Sequence, residues 1–322
     1  ISPRDDLPKA NEPVEPSTDY QRFLGLCSHE YFHSWLVKFI RPENFVNYDL
    51  NKEGYTSLLW IFEGFTSYYD DLILLRSGVI NQESYIKLLK LQIDRYLQNP
   101  GRAVQTVAES SFDAWVKFYR QDENSNNAGT SYYNKGCLVA LCLDLGLRLR
   151  GSSLDELMRK LYENAQNGIQ VNERTIYELA NDLTGDDWSE QINHLINTTD
   201  ELPLDQLFPE FGLSYTLNHD KSLPFGLKLA DKPEGVLIQS ARRDGSGVLA
   251  GLSANDVIVA IDGLKATAKL VEKYAKQDGT YIVYAFRRDE FMQFEVKASG
   301  SALTEVNLKV EDQAKVEKWL KA

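Results

Sequence analysis

His29-Glu30-Tyr31-Phe32-His33 places two of the chain's four histidines four residues apart, with a glutamate directly after the first. The stretch sits in a run of helical period. Ser17 or Thr18 can cap it, apolar residues recur at Phe23, Leu26, Cys27, Tyr31 and Leu36, and Pro42 stops it, which predicts a helix from Thr18 to about Ile40. At 3.6 residues per turn both imidazoles fall on one face and can bind one metal ion. Glu30 projects beside that face, where it can take a proton from a water acidified by the metal. H-E-x-x-H on a helix thus points to a zinc centre. The bland alternative is two histidines packing or capping a helix, with a solvated glutamate between them.

A catalytic zinc needs a third protein ligand and an open position. Trp60-Ile61-Phe62-Glu63-Gly64-Phe65 sets a carboxylate in an otherwise apolar helical stretch. Alone, Glu63 reads equally well as a partly exposed helix residue; beside H-E-x-x-H it becomes the candidate ligand, since two histidines and a glutamate form a catalytic zinc set.

Composition narrows the classes. The 322 residues carry 35 Lys plus Arg against 47 Asp plus Glu, a net charge of −12, which disfavours nucleic acid as a partner. The most apolar run, Leu58 to Leu75, contains Glu63, Asp70 and Asp71, so no membrane span is expected. Three cysteines cannot all pair, which excludes a disulfide scaffold and favours a reducing, cytoplasmic setting. Cys27 reads as core packing. The chain opens without Met in loop-like sequence, which suggests a missing N-terminal part, so a signal peptide ahead of Ile1 stays open. Oligomeric state is not readable.

Helices are expected over 57–76, 82–97, 133–150, 153–167 and 172–183. After Leu202 short β-like runs appear at 213–217, 235–239, 257–261, 281–286 and 291–296, separated by Asp-Gly turns. This divides the chain into a lead-in loop (1–17), a helical domain (18–205), a small β-rich domain with a linker strand (206–300) and a helical tail (301–322).

Longer stretches carry a resemblance. The zinc motif, followed by His33-Ser34-Trp35 with Lys38, Arg41 and Pro42, then Trp60-x-x-Glu63-Gly64-Phe65-Thr66-Ser67-Tyr68-Tyr69, Asp113-Ala114-Trp115, Tyr132-Tyr133-Asn134-Lys135-Gly136 and Leu143-Asp144-Leu145, resembles the glycyl aminopeptidase family of gluzincin zinc metallopeptidases. The resemblance implies a mainly α-helical, thermolysin-like catalytic domain followed by a PDZ-like domain, one Zn2+ per chain, and peptide substrates with small N-terminal residues. By it, His29, His33 and Glu63 are the zinc ligands, Glu30 is the general base and Tyr133 is the donor to the oxyanion. Ser67 stands where some gluzincins carry an acidic residue, and Asp70, two turns beyond Glu63, is the candidate to orient a ligand histidine. The family's acidic stretch for the substrate amine is not found before Ser28.

Pro224-Phe225-Gly226-Leu227 fits the loop with which PDZ domains bind a peptide's terminal carboxylate, so Phe225, Gly226 and Leu227 are candidates for that contact. Two alternatives accompany the aminopeptidase reading: an idle zinc domain acting as a peptide-binding adaptor through that groove, and a zinc endopeptidase.

Overall fold

The computed structural model describes residues 16–220, 225–298 and 302–321. Pro224 and most of the lead-in loop lie outside them.

Ser17 caps α1 (Thr18–Phe32), its hydroxyl accepting from the Tyr20 N–H at 3.2 Å. The helix ends at Phe32, not near Ile40. Val37 adopts a φ of 87° and its N–H donates to the Ile40 carbonyl at 2.8 Å, which folds the chain into a tight loop. A β-branched residue in the left-handed region is strained. The buried face of α1 also differs from the apolar stripe read in the sequence. Gln21, Gly25 and Phe32 are buried, whereas Phe23, Leu26, Tyr31 and Cys27 are exposed. Cys27 is therefore not a core residue: it lies off the face that α1 turns toward α3.

The expected helix over 57–76 is two pieces, α2 (Leu59–Phe62) and α3 (Gly64–Arg76), with Glu63 at the break. Next come α4 (Gln82–Gln98), α5 (Val107–Phe112), a π-helical turn over Ala114–Phe118, and α6 (Ser125–Ala128). Every residue of α7 (Asn134–Arg148) from Lys135 to Leu147 is buried, so α7 is the axis around which the other helices pack. Four helices complete this body: α8 (Leu154–Gln166), α9 (Thr175–Thr184), α10 (Ser189–Asn197) and α11 (Leu204–Leu207).

Among the described residues the strands form two separate sheets. β1 (Leu213–Asp220) pairs antiparallel with β8 (Ala302–Val310) alone. The segment expected as a helical tail is thus a strand before it is a helix. Val306, Leu308 and Val310 alternate with polar residues at the period of a strand, and Val306 is fully buried. Its N–H donates to the Asp94 carboxylate at 2.6 Å. Helix follows only over Gln313–Leu320, where Val316, Trp319 and Leu320 join the core of the helical body. The second sheet, all antiparallel, runs in the order β2 (Leu227–Lys232), β3 (Gly235–Ala241), β4 (Val257–Ile261), β6 (Gly279–Arg287), β7 (Glu290–Ala298), with β5 (Leu264–Lys265) paired to β4. With α12 (Ser246–Leu249) and α13 (Ala268–Ala275) it encloses its own core of Val236, Ile238, Ile258, Val283 and Val296. Among the described residues no helix is long and apolar enough to cross a membrane.

Candidate active site

α1 packs on α3, and α3 on α7, so the three helices bring their functional side chains to one place. Ligand-type atoms of His29, His33 and Glu63 lie within 4.8 Å of one another. A carboxylate oxygen of Glu63 stands 3.2 Å from His29 Nε2 and 3.3 Å from His33 Nε2, and the two imidazoles meet edge to face. Both outer nitrogens are held as well. His29 Nδ1 faces the Asp70 carboxylate at 3.4 Å, and His33 Nδ1 lies 3.2 Å from the Leu36 carbonyl. Fixing Nδ1 leaves Nε2 of each ring to point inward at the same locus, the arrangement by which proteins present imidazoles to a metal. Two imidazole nitrogens and one carboxylate make a donor set suited to zinc.

The electrostatics favour positive charge at this point. Burial opposes the charged form of His29, but the hydrogen bonds to and charges of Asp70 and Glu63 outweigh it and lift the ring to about 9. Burial would raise Glu63, yet the two imidazoles prevail and hold it down at about 2. A site that retains a proton so firmly between carboxylates is one that a cation can occupy in its place.

Glu30, the next residue after His29, is exposed. Tyr133 is half-buried at the N-terminus of α7, its ring centroid 6.2 Å from that of His29. Burial, the hydrogen bond to Tyr119 and the charge of Glu63 together push its phenol well up, so it stays a protonated donor at neutral pH. Tyr132, stacked on it at 4.7 Å, is buried.

Glu63, Tyr119 and Tyr132 are among the residues that line an open cavity of about 970 Å³. Val37, Lys38, Arg41 and Trp115 also line it. The Trp115 indole N–H donates to the Gly54 carbonyl at 3.1 Å, which ties the π-helical turn to the loop across the cavity. Tyr119 was not singled out by the sequence. A signal was present, since Trp115 and Tyr119 are four apart beside the Asp113-Ala114-Trp115 block.

In the second sheet's module Phe225 is buried and Gly226 has a φ of 64°, a conformation that favours glycine. With Leu227, Val271 and Ala275 they border a cavity of about 200 Å³ between β2 and α13.

A crystal structure of an aminopeptidase N family protein from Idiomarina loihiensis is similar to this chain at 37% identity and a TM-score of 0.87. The match covers 99% of this chain, which spans 58% of that protein's length. The HtrA3 PDZ domain bound to a phage-derived ligand (12% identity, TM-score 0.22, 30% of this chain and 92% of that one) is too distant to carry an argument. No curated protein matches the sequence. Residues 22–139, which hold both histidines of the cluster, Glu63 and Tyr133, match the family model described as M61 glycyl aminopeptidase, the peptidase family that the chain resembles over that stretch.

Proposed function

We propose that the chain carries the catalytic centre of a zinc aminopeptidase that removes small N-terminal residues, Gly or Ala, from peptides. The observation that supports this most is the convergence of His29, His33 and Glu63, with both outer imidazole nitrogens held and a protonated tyrosine beside the cluster. In this reading the three residues are the ligands of one zinc ion within a gluzincin-type helical domain. Zinc, when bound there, supplies a Lewis acid that polarises a carbonyl and acidifies water. Glu30 takes the proton of the attacking water and returns it to the leaving amine. Tyr133 donates its phenol hydrogen to the developing oxyanion, a contact of the kind worth about 2.7–4 kcal/mol. Asp70 orients His29.

The C-terminal module is, in the same reading, a PDZ-like domain. Its Phe225-Gly226-Leu227 loop would turn backbone N–H groups toward a peptide's terminal carboxylate, and the cavity beside α13 would take the last side chain. Blocking the carboxylate of a bound peptide as the amide should abolish that binding.

The aminopeptidase reading is tested by measuring zinc content and hydrolysis of Gly- and Ala-aminoacyl reporters in full-length protein. Glu30→Gln should retain zinc and lose nearly all turnover. Tyr133→Phe should retain zinc and lose about 10²–10³ in kcat with KM little changed. Turnover that survives both chelation and Glu30→Gln would overturn the assignment.

A further inference from the structure

Three phenols form a chain beside the candidate metal ligands. The Tyr132 hydroxyl donates to that of Tyr119 at 3.3 Å, and Tyr119 lies 3.4 Å from the Tyr133 hydroxyl. Tyr132 is buried, Tyr133 half-buried and Tyr119 59% exposed on the cavity wall. Tyr119 owes its position to the π-helical turn: its N–H bonds the Ala114 carbonyl, five residues back, at 3.0 Å. Such wide turns recur at functional sites because they displace one side chain from the helical register. Phe118, its neighbour, packs on both Tyr132 and Tyr133 with ring centroids 4.9 and 5.6 Å away, which holds the trio together.

A phenol has one proton to give. The Tyr132 proton goes to Tyr119. The hydrogen bond between Tyr119 and Tyr133 can run in either sense, and a substrate oxygen that takes the Tyr133 proton selects the sense in which Tyr119 donates to Tyr133. That sense of donation leaves only the Tyr133 proton unclaimed, free for a substrate oxygen. The opposite sense, with Tyr133 donating to Tyr119, would consume the one proton the oxyanion needs. A phenol that accepts a hydrogen bond also becomes a stronger donor, because the chain polarises each member in turn.

We propose that Tyr119 is a positioning residue that orders and strengthens Tyr133 as hydrogen-bond donor, with Tyr132 donating to Tyr119 in turn. This rests on the reading of Tyr133 as the oxyanion donor. Tyr119 acts through Tyr133 and does not touch the reacting atoms, which separates it from a residue that binds substrate.

The test is a double-mutant cycle on zinc-loaded full-length protein, reading kcat and KM separately. Tyr119→Phe keeps the ring and removes only an exposed hydroxyl, so zinc content and melting temperature should stay at parental values. It should lower kcat about 10-fold with KM unchanged, as expected for a contact felt only in the transition state. Tyr119→Phe added to Tyr133→Phe should cost nothing further, because the group through which Tyr119 acts is already gone. Parental kcat for Tyr119→Phe alongside an impaired Tyr133→Phe would overturn the proposal. So would a rise in KM at constant kcat, or losses that multiply in the double variant. Full activity of Tyr133→Phe would instead remove the oxyanion reading, and the role of Tyr119 with it.

Discussion

A Cβ placed on Gly64 would stand 2.5 Å from the carbonyl carbon of Gly136, and one on Gly136 would stand 2.9 Å from the Gly64 Cα and the Trp60 carbonyl oxygen. The two helix backbones therefore touch where α3 crosses α7. The contact sits one residue after Glu63 and three after Tyr133, so it sets the spacing between the carboxylate and the phenol. Alanine at either glycine has only backbone to push against. Gly136→Ala should cost about 1–3 kcal/mol in chemical denaturation and weaken zinc binding as the helices separate. Gly25→Ala, whose Cβ would meet the Asp71 carboxylate at an ordinary 3.4 Å, serves as the mild comparison. Equal losses for both would mean that the close approach does not hold the site.

Asp70 accounts for a second prediction. Its carboxylate faces His29 Nδ1 at 3.4 Å, two helical turns beyond Glu63. Asp70→Asn should lower zinc affinity about 10–100-fold in competition with a chelator, the effect usual for removing the partner of a ligand histidine. Glu63→Gln should do more, because a neutral amide is a poorer zinc ligand than a carboxylate. An Asp70→Asn variant with parental affinity would take Asp70 out of the site.

The pH dependence follows from the shifts at the cluster. His29 rises from 6.5 to about 9, so in chelator-treated protein its contribution to stability is complete below 6.5 and is lost as pH climbs through about 9. Glu63 falls from 4.5 to about 2, so its contribution is present above 4.5 and is lost as pH drops through about 2. Thermal melts of chelator-treated protein should therefore lose stability between pH 6.5 and 9, on top of any loss seen with zinc present. Zinc uptake below pH 9 should release a proton, measurable as a buffer-dependent heat. Uptake with no proton release at pH 7 would contradict a protonated His29.

How much of this the sequence discloses depends on the kind of signal. His29 and His33 are legible because four residues of helix determine where their rings go, and Glu63 because a carboxylate in an apolar stretch stands out. Tyr119 is less so, since its spacing of four from Trp115 reads as one face of an α-helix, whereas its place depends on a π-helical turn. The loop after His33 is hidden for a related reason: nothing in Trp35-Leu36-Val37-Lys38 announces a valine at positive φ. The packed face of α1 is not legible from hydrophobicity because it is made of small and polar residues: Gln21 bonds Ser84 of α4, and Gly25 and His29 face Asp71 and Asp70 of α3. β8 is hidden because Glu305, Lys309 and the following Glu311 disguise a two-residue period as a charged helix, and its partner β1 lies some ninety residues away.

The last prediction concerns how the C-terminal module is held. The Asn127 side chain in α6 donates to the Ala241 carbonyl at 2.7 Å and accepts from the Arg243 N–H at 2.9 Å. Between them, Arg242 bonds the Gln98 carbonyl at the end of α4 with its guanidinium, while its own N–H donates to the Gly226 carbonyl at 2.8 Å. The turn after β3 is thus joined to the helical body on one side and to the Phe225-Gly226-Leu227 loop on the other. One amide carries two of these contacts, both to backbone groups of that turn. Asn127→Ala removes both, about 1–3 kcal/mol at the usual net worth of a hydrogen bond. The two cores themselves are untouched, so each should keep its fold and the zinc affinity should stay parental. Small-angle scattering of the variant should then show a larger and broader distribution of dimensions than the parent. Identical scattering profiles would show that other contacts fix the module and that the amide is dispensable.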